Sequence, residues 1–305
     1  MHDIIIIGAG PAGLTAAIYA RRANKSVLVI EKESFGGQIT YSPKVENYPG
    51  FPAVSGSELG EKLVDQALAL GAEIELDQIV NIRDVGPYKI VQGANGDYQA
   101  TAVIIAAGSR HRQLNVPREE ALTGHGVCYC ALCDGAFFKD REVAVIGGGN
   151  TALQDAVLLS DICKKVTVIQ NLAACTGEAR LVEILKKKDN VSFIFNTVVE
   201  SLDGDPELTA IEIKNTETGK SEMFPVDGIF VAIGQQPDNE PFSTLCKLND
   251  YGYIVSDEAC LTGTDGVFVA GDCRTKSVRQ VVTATGDGSV AALAACRFVD
   301  NKKQN

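Results

Sequence analysis

The 305-residue chain is 45% hydrophobic with 30 glycines, enough length for two medium domains that each bury a core. Its formal charge of -11 offers no net positive field against phosphate repulsion, which argues against sequence-independent nucleic-acid binding. No apolar run approaches the roughly 18 residues of a membrane span, and nine cysteines, an odd number, argue for one reactive pair among inert thiols rather than a disulfide scaffold.

The first predicted element is a buried strand from Asp3, which leaves no room for a signal sequence, so a soluble, cytoplasmic protein is expected. In DIIIIGAGPAGLTAAIYA this strand runs into a glycine turn and an apolar-periodic helix, with Gly8, Gly10 and Gly13 forming GxGxxG. The first glycine permits a tight turn, the second lets backbone approach a pyrophosphate, and the third allows close helix packing. The helix N-terminus then faces the anion. SVLVIEK is the next strand, and its Glu31 can accept hydrogen bonds from ribose hydroxyls; a plain surface acid is the alternative. Tyr98 to Ala107 gives a further strand, closed by Gly108 and Ser109.

Mid-chain, Cys130 and Cys133 form the one CxxC. Two thiols so spaced close a small ring reversibly, and such motifs often lower one thiol pKa toward neutrality. Half a zinc site would need a second Cys or His pair, and none is present, so no metal is expected. Cys128 is near enough to complicate exchange, whereas Cys163, Cys246, Cys260, Cys273 and Cys296 read as packing residues. His2, His111 and His125 show no catalytic spacing.

EVAVIGGGNTALQDAVLL then repeats the opening grammar, with Gly147, Gly149 and Ala152 as GxGxxA. The strand that follows runs into VTVIQNLAACTGEAR, which carries neither an acid nor an arginine at the position where NADH and NADPH are told apart. Lys164 and Lys165, and Lys186 to Lys188, read as solvated helix ends or a turn, with a docking patch as the alternative. Much later, GVFVAGD is a short strand delivering Asp272, a helix is expected near Gly288, and the final NKKQN reads as frayed. These C-terminal elements pack most simply on the first unit. A discontinuous first domain, residues 1–113 and 245–305, is therefore expected, with a second at 117–241 and hinges at Arg112–Pro117 and Gly234–Pro241.

Taken together, GAGPAG, GGQ (Gly36–Gln38), ENYPGFP (Glu46–Pro52), CALCDGAFF (Cys130–Phe138), GGGNTA, GVFVAGD and RQVVTATGDG (Arg279–Gly288) resemble the low-molecular-weight thioredoxin reductase family over essentially the whole chain. The resemblance implies an α/β fold with two Rossmann-like, three-layer ββα dinucleotide-binding domains, FAD as cofactor, thioredoxin as partner and a homodimer. It places Gly8, Gly10, Pro11, Ala12 and Gly13 under the FAD pyrophosphate and Glu31 on its ribose. Gln38, Asn47, Asp272 and Arg279, Gln280 and Val281 would hold the flavin and ribityl chain, with Gly37, Ala107, Gly108 and Gly271 completing the cofactor set. Cys133 would receive electrons from the flavin, Cys130 would attack the partner disulfide, and Asp134 would shuttle a proton; a turn residue before Gly135 is the alternative for Asp134.

One segment departs from the family. NADPH-using relatives carry His-Arg-Arg after the second-unit strand and another Arg a few residues on, clamping the 2′-phosphate. Here Gln170 to Ala179 contain no cation before Arg180. Two missing charge-assisted bonds of roughly 1.5–3 kcal/mol each amount to about 3–6 kcal/mol, on the order of 10²–10⁴ in affinity. The second unit is then expected as scaffold, and the resemblance points to the ferredoxin-dependent flavin branch. A ferredoxin near roughly -400 mV reducing a thioredoxin near -270 mV releases about 6 kcal/mol for two electrons. An NADPH-dependent reductase with an atypical clamp and an FAD-dependent dithiol oxidase are the alternatives.

Overall fold

Along the chain, β1 (His2–Ile7) leads into α1 (Pro11–Arg22), β2 (Val27–Glu31), α2 (Gly56–Ala69), β3 (Glu73–Leu76), β4 (Ile79–Asp84), β5 (Lys89–Gly93) and β6 (Asp97–Ile105). β7 (Ser109–His111) and α3 (Glu119–Leu122) precede β8 (Val127–Cys128), α4 (Ala131–Asp134), β9 (Glu142–Ile146) and α5 (Asn150–Ser160). Next come β10 (Lys165–Ile169), α6 (Ala179–Lys186), β11 (Val191–Ile194), β12 (Thr197–Asp203), β13 (Ala210–Asn215), β14 (Ser221–Pro225) and β15 (Gly228–Val231). β16 (Gln235–Pro237), β17 (Val267–Val269) and α7 (Val281–Gln304) close the chain. This computed structural model describes residues 1–42 and 44–304, and these fall into two units, residues 1–110 with 236–305 and residues 111–235. Among the described residues no helix is long and apolar enough to cross a membrane.

The first unit is built on a seven-stranded sheet in the order β3-β2-β1-β6-β5-β4, with β17 also paired to β6. β1 is flanked by parallel partners on both sides, Ile5 lying opposite Leu28 and Val103. Its four isoleucines are buried because both faces of the sheet are covered. Ile4 and Ile6 face a core shared with α1 and α7, while Ile5 and Ile7 face the opposite core with Ile82, Val91 and Phe242. Alternating side-chain direction thus turns one apolar run into the middle of three layers.

The second unit repeats the scheme with five parallel strands, β11-β10-β9-β15-β8. Val143 and Val145 face α5, and Ala144 and Ile146 face the antiparallel sheet β12-β13-β14. The α/β, three-layer ββα expectation therefore describes both units.

Two local expectations are corrected. The last helix starts at Val281, a full two turns before Gly288, although Gly286 and Gly288 each lower helix propensity by about 1 kcal/mol. Packing overrides propensity: a Cβ on Gly288 would lie 2.2 Å from the Ala12 carbonyl oxygen, so only glycine lets α7 pass so close to α1. Nor is the C-terminus frayed through Gln304. Helix α7 continues to that residue, and ion pairs Lys303–Asp3 (2.7 Å) and Lys25–Asp300 hold its last turns. Asn305 lies outside the described residues.

Candidate functional site

In the first unit the sequence-expected cofactor residues gather at the carboxyl ends of the parallel strands, the usual ligand edge of such sheets. Gly8 has φ +105°, and a Cβ there would lie 2.3 Å from the Ala106 carbonyl oxygen. Helix α1 begins at Gly10 with no side-chain cap and Pro11 in its first turn, so Ala12 and Gly13 present uncapped backbone N–H groups suited to an anion. Glu31, ending β2, accepts backbone hydrogen bonds from Ala9 (2.7 Å), Lys32 (2.9 Å) and Glu33 (3.0 Å). These fix its carboxylate, and Oε2, which accepts one amide where Oε1 accepts two, keeps lone-pair capacity for a ribose hydroxyl.

The remaining residues close around this turn. Gly37 opens a 3₁₀ turn, Gly37–Tyr41, that includes Gln38, and its hypothetical Cβ would lie 2.8 Å from the Gly10 Cα. Gly271 sits against Ala12 in the same way, its hypothetical Cβ 2.8 Å from that of Ala12. The Arg279 Nε donates to the Asp272 carbonyl at 3.5 Å while its guanidinium lies over the Tyr253 ring. Asn47 donates to the Gln280 side chain at 3.2 Å, and Val281 starts α7. Ala107 and Gly108 directly follow β6, whose Ile105 carbonyl accepts from the thiol of Cys273, next to Asp272, at 3.6 Å. Asp272 itself has a buried Oδ1 with no hydrogen-bond partner, and burial pushes its carboxyl up to about 6. A buried acceptor without a donor is costly, and a ribityl hydroxyl is the kind of group it lacks. These residues fit FAD.

Sequence reading missed what holds this loop. Asp287 accepts from the Gly271 amide (3.0 Å), the Arg274 guanidinium (2.8 Å at both oxygens) and Lys276 (2.9 Å). Burial opposes its charge, but the bonds from Arg274 and Lys276 win and keep its pKa below the ordinary carboxylate value. The signal was present in the sequence as two cations near a GDG acid.

In the second unit Cys130 and Cys133 are joined as a disulfide with Cα atoms 5.3 Å apart. Cys130 caps the one-turn helix α4, and the Cys133 amide donates to its sulfur and its carbonyl, each at 3.2 Å. The Asp134 amide bonds the same carbonyl at 3.0 Å. Asp134 carries a buried, unpartnered Oδ1, and burial raises its carboxyl to about 6, against a hydrogen bond from the Cys128 thiol. An acid with that pKa exchanges protons near neutrality, which suits work beside a thiol. Upstream, buried Glu119 accepts from the Leu114 and Asn115 amides (both 2.8 Å) and the Tyr129 hydroxyl (2.7 Å), so it fixes the residue between Cys128 and Cys130.

The second glycine turn has the backbone of the first. Gly147 has φ +129°, with a hypothetical Cβ 2.5 Å from the Ala232 carbonyl oxygen, and α5 starts at Gly149 without a side-chain cap. At the end of β10, however, the buried Gln170 side chain lies over Gly148, 2.6 Å from where a Cβ would stand. It donates to the Ala174 carbonyl at 3.5 Å and accepts from the Asn171 amide at 3.2 Å. The Thr176 and Gly177 amides donate to the Gly148 carbonyl at 2.8 and 2.9 Å, and the Glu178 amide to the Asn150 side chain at 2.7 Å. The segment is thus bonded both within itself and back to the glycine turn at Gly148 and Asn150.

A family model described as pyridine nucleotide-disulphide oxidoreductase matches residues 2–288. Proteins named thioredoxin reductase from Listeria innocua and Bacillus subtilis are each 42% identical over 305 residues, spanning 100% of this chain and 96% of the relative. The crystal structure of a thioredoxin reductase from Streptococcus pyogenes superposes with a TM-score of 0.95 at 37% identity, covering 99% of both chains.

Proposed function

As the chain belongs to the pyridine nucleotide-disulphide oxidoreductase family, we propose that it is an FAD-dependent thioredoxin-disulfide reductase whose electron donor is reduced ferredoxin. The reading further takes it as a cytoplasmic homodimer. The observation that supports the choice of donor is the end of β10: Asn171 and Leu172, where a phosphate clamp would need cations, are neutral and exposed, and the preceding Gln170 is turned onto Gly148 and bonded to Ala174. The retained redox role is supported by the Cys130–Cys133 disulfide and by Asp134, whose carboxyl burial raises to about 6.

FAD, when bound, supplies a carrier that takes single electrons and delivers a pair. With FAD bound, the incoming pair would open the Cys130–Cys133 bond with Cys133 as its acceptor; Cys130 would leave as a thiolate, take up a proton, and return it to Asp134 before it attacks. The Cys130 thiolate attacks the thioredoxin disulfide, and Cys133 then displaces the mixed disulfide to restore the ring. Candidate cations for ferredoxin docking are Lys165, Lys186 and Lys187, since Lys164 and Lys188 are in ion pairs with Glu142 and Asp161.

A second reading, NADPH as donor, is favoured by the preserved backbone at Gly147 and Gly149. Parallel anaerobic titrations of the flavin band with reduced ferredoxin, NADPH and NADH separate the two. Bleaching by ferredoxin, with thiols appearing on added thioredoxin, is expected; bleaching within seconds by NADPH alone overturns the assignment of donor.

A further inference from the structure

We infer that Tyr253 is a positioning residue of the cofactor site: its ring is a fixed platform that holds the Arg279 guanidinium beside the Asp272 turn and keeps it set for FAD. The inference rests on FAD as the cofactor and on Arg279 as one of its ligands, and not on the electron donor.

The platform is anchored without Arg279. Asn249 closes a tight turn, its side chain accepting from the amides of Tyr251 (3.0 Å) and Tyr253 (2.9 Å) while its own amide donates to the Tyr253 carbonyl (2.9 Å). Tyr253 is 9% exposed. The next residue, Ile254, donates to the Cys273 carbonyl at 3.0 Å and accepts from the Thr275 amide at 2.9 Å. Asn239, 1% exposed, joins the same two turns, its side-chain amide donating to the Gly252 carbonyl at 2.9 Å and the Cys273 carbonyl at 2.8 Å. Backbone bonds and a buried carboxamide therefore lock the Tyr253 turn to the Asp272–Cys273 turn.

Arg279 has far less to hold it. Residues 275–280 form no helix or strand, and Ser277 and Val278 are exposed. Arg274 and Lys276, the other cations of this loop, pair with Asp287 at 2.8 and 2.9 Å, whereas Arg279 makes no ion pair among the described residues. Its side chain reaches the Asp272 carbonyl through Nε at 3.5 Å, a long bond. The guanidinium carbon lies 4.2 Å from the centroid of the Tyr253 ring, well inside the roughly 6 Å over which a ring face attracts a cation. A carboxylate partner would occupy the guanidinium N–H donors and offset the charge. A ring does neither, so the terminal donors stay available to a ligand. Were Tyr253 ordinary packing, its loss would act on the cofactor whether or not the arginine were there.

The test is a double-mutant cycle on the FAD dissociation constant, read from flavin fluorescence as the holoprotein is diluted. Tyr253→Leu is expected to raise the constant about 3–30-fold, the range a ring-held cation spans. Tyr253→Phe keeps the ring face and stays within about twofold of wild type. In an Arg279→Met background, Tyr253→Leu adds no further loss. Losses of the same size in both backgrounds, a loss in Tyr253→Phe as large as in Tyr253→Leu, or no loss in Tyr253→Leu where Arg279→Met shows one, overturns the inference. If Tyr253→Leu does not fold, Tyr253→Met takes its place in the cycle. Wild-type affinity in Arg279→Met counts instead against Arg279 as a ligand. In that case the platform is read from phenylglyoxal labelling of Arg279, followed by mass spectrometry: labelling several-fold faster in Tyr253→Leu than in wild type or Tyr253→Phe is expected, and equal rates overturn the inference.

Discussion

The two glycine turns of this chain are near copies in backbone and unlike in what surrounds them. Gly10 and Gly149 cap their helices at φ -81° with ψ of -177° and 179°, and Gly8 and Gly147 press on the carbonyls of Ala106 and Ala232. At the end of the next strand, one unit sets Glu31 with its carboxylate fixed by three amides, and the other folds Gln170 back over the turn. Turn glycines are demanded by how strand and helix meet, whereas recognition is written at the following strand end. A glycine signature therefore reports a scaffold, and only the second strand reports a ligand.

The contrast extends to the strands beside the central pair. β17 adjoins β6 and β8 adjoins β15 at matching places in their sheets, and each is followed by a tight turn bearing an acid. Asp272 and Asp134 both have a buried, unpartnered Oδ1 and a carboxyl raised to about 6 by burial. On the proposed reading, one slot holds a cofactor acid and the other the redox pair.

The sharpest way to break the comparison is to write recognition back. Asn171→Arg with Leu172→Arg, on exposed positions, adds two phosphate-binding cations. On the proposed reading NADPH affinity rises by about 10²–10⁴-fold, or about 3–6 kcal/mol, as seen by flavin bleaching and direct titration. No gain would show that the loop over Gly148, and not missing charge, decides.

The Asp272 side is tested by pH. Its folded-state pKa of about 6 lies above the ordinary 3.8 of an aspartate. Below both values the acid is protonated folded or unfolded and costs nothing; as pH rises through this window the folded form resists ionising, and above it the full cost of about 3 kcal/mol is present. Asp272→Asn is thus expected to stabilise the apoprotein against urea at pH 7.5, with the gain shrinking as pH falls from 6 toward 4, while flavin content drops.

The smallest effect separates scaffold from ligand. Gly8→Ala and Gly147→Ala meet backbone oxygens at 2.3 and 2.5 Å, and each is expected to cost about 1–3 kcal/mol of stability. Gly8→Ala also lowers flavin content at a temperature where both variants are folded, and Gly147→Ala leaves it unchanged. Equal flavin loss would erase the distinction drawn between the turns.

Much of this was legible in the sequence. The paired turns, Glu31, the CxxC and the unclamped strand end are local features, each within a few residues of the element that presents it. What could not be read depends on residues meeting across the fold. Asn171 and Leu172 read as missing cations, but the packing of the preceding Gln170 over Gly148, 22 positions earlier, appears only once β9 and β10 pair. The last helix reads as starting near Gly288 because nothing local announces α1 beneath that glycine.

Buried Glu119 also has a mechanical meaning. Its carboxylate grips the amides of Leu114 and Asn115 and the Tyr129 hydroxyl, while its own carbonyl accepts from the Thr123 hydroxyl at 2.8 Å. Tension along residues 112–115 is therefore carried into α3 at Glu119 before it reaches the peptide leading to Cys130. The arrangement works as strain relief on a cable: the lead can be tugged while the contact at its end stays seated.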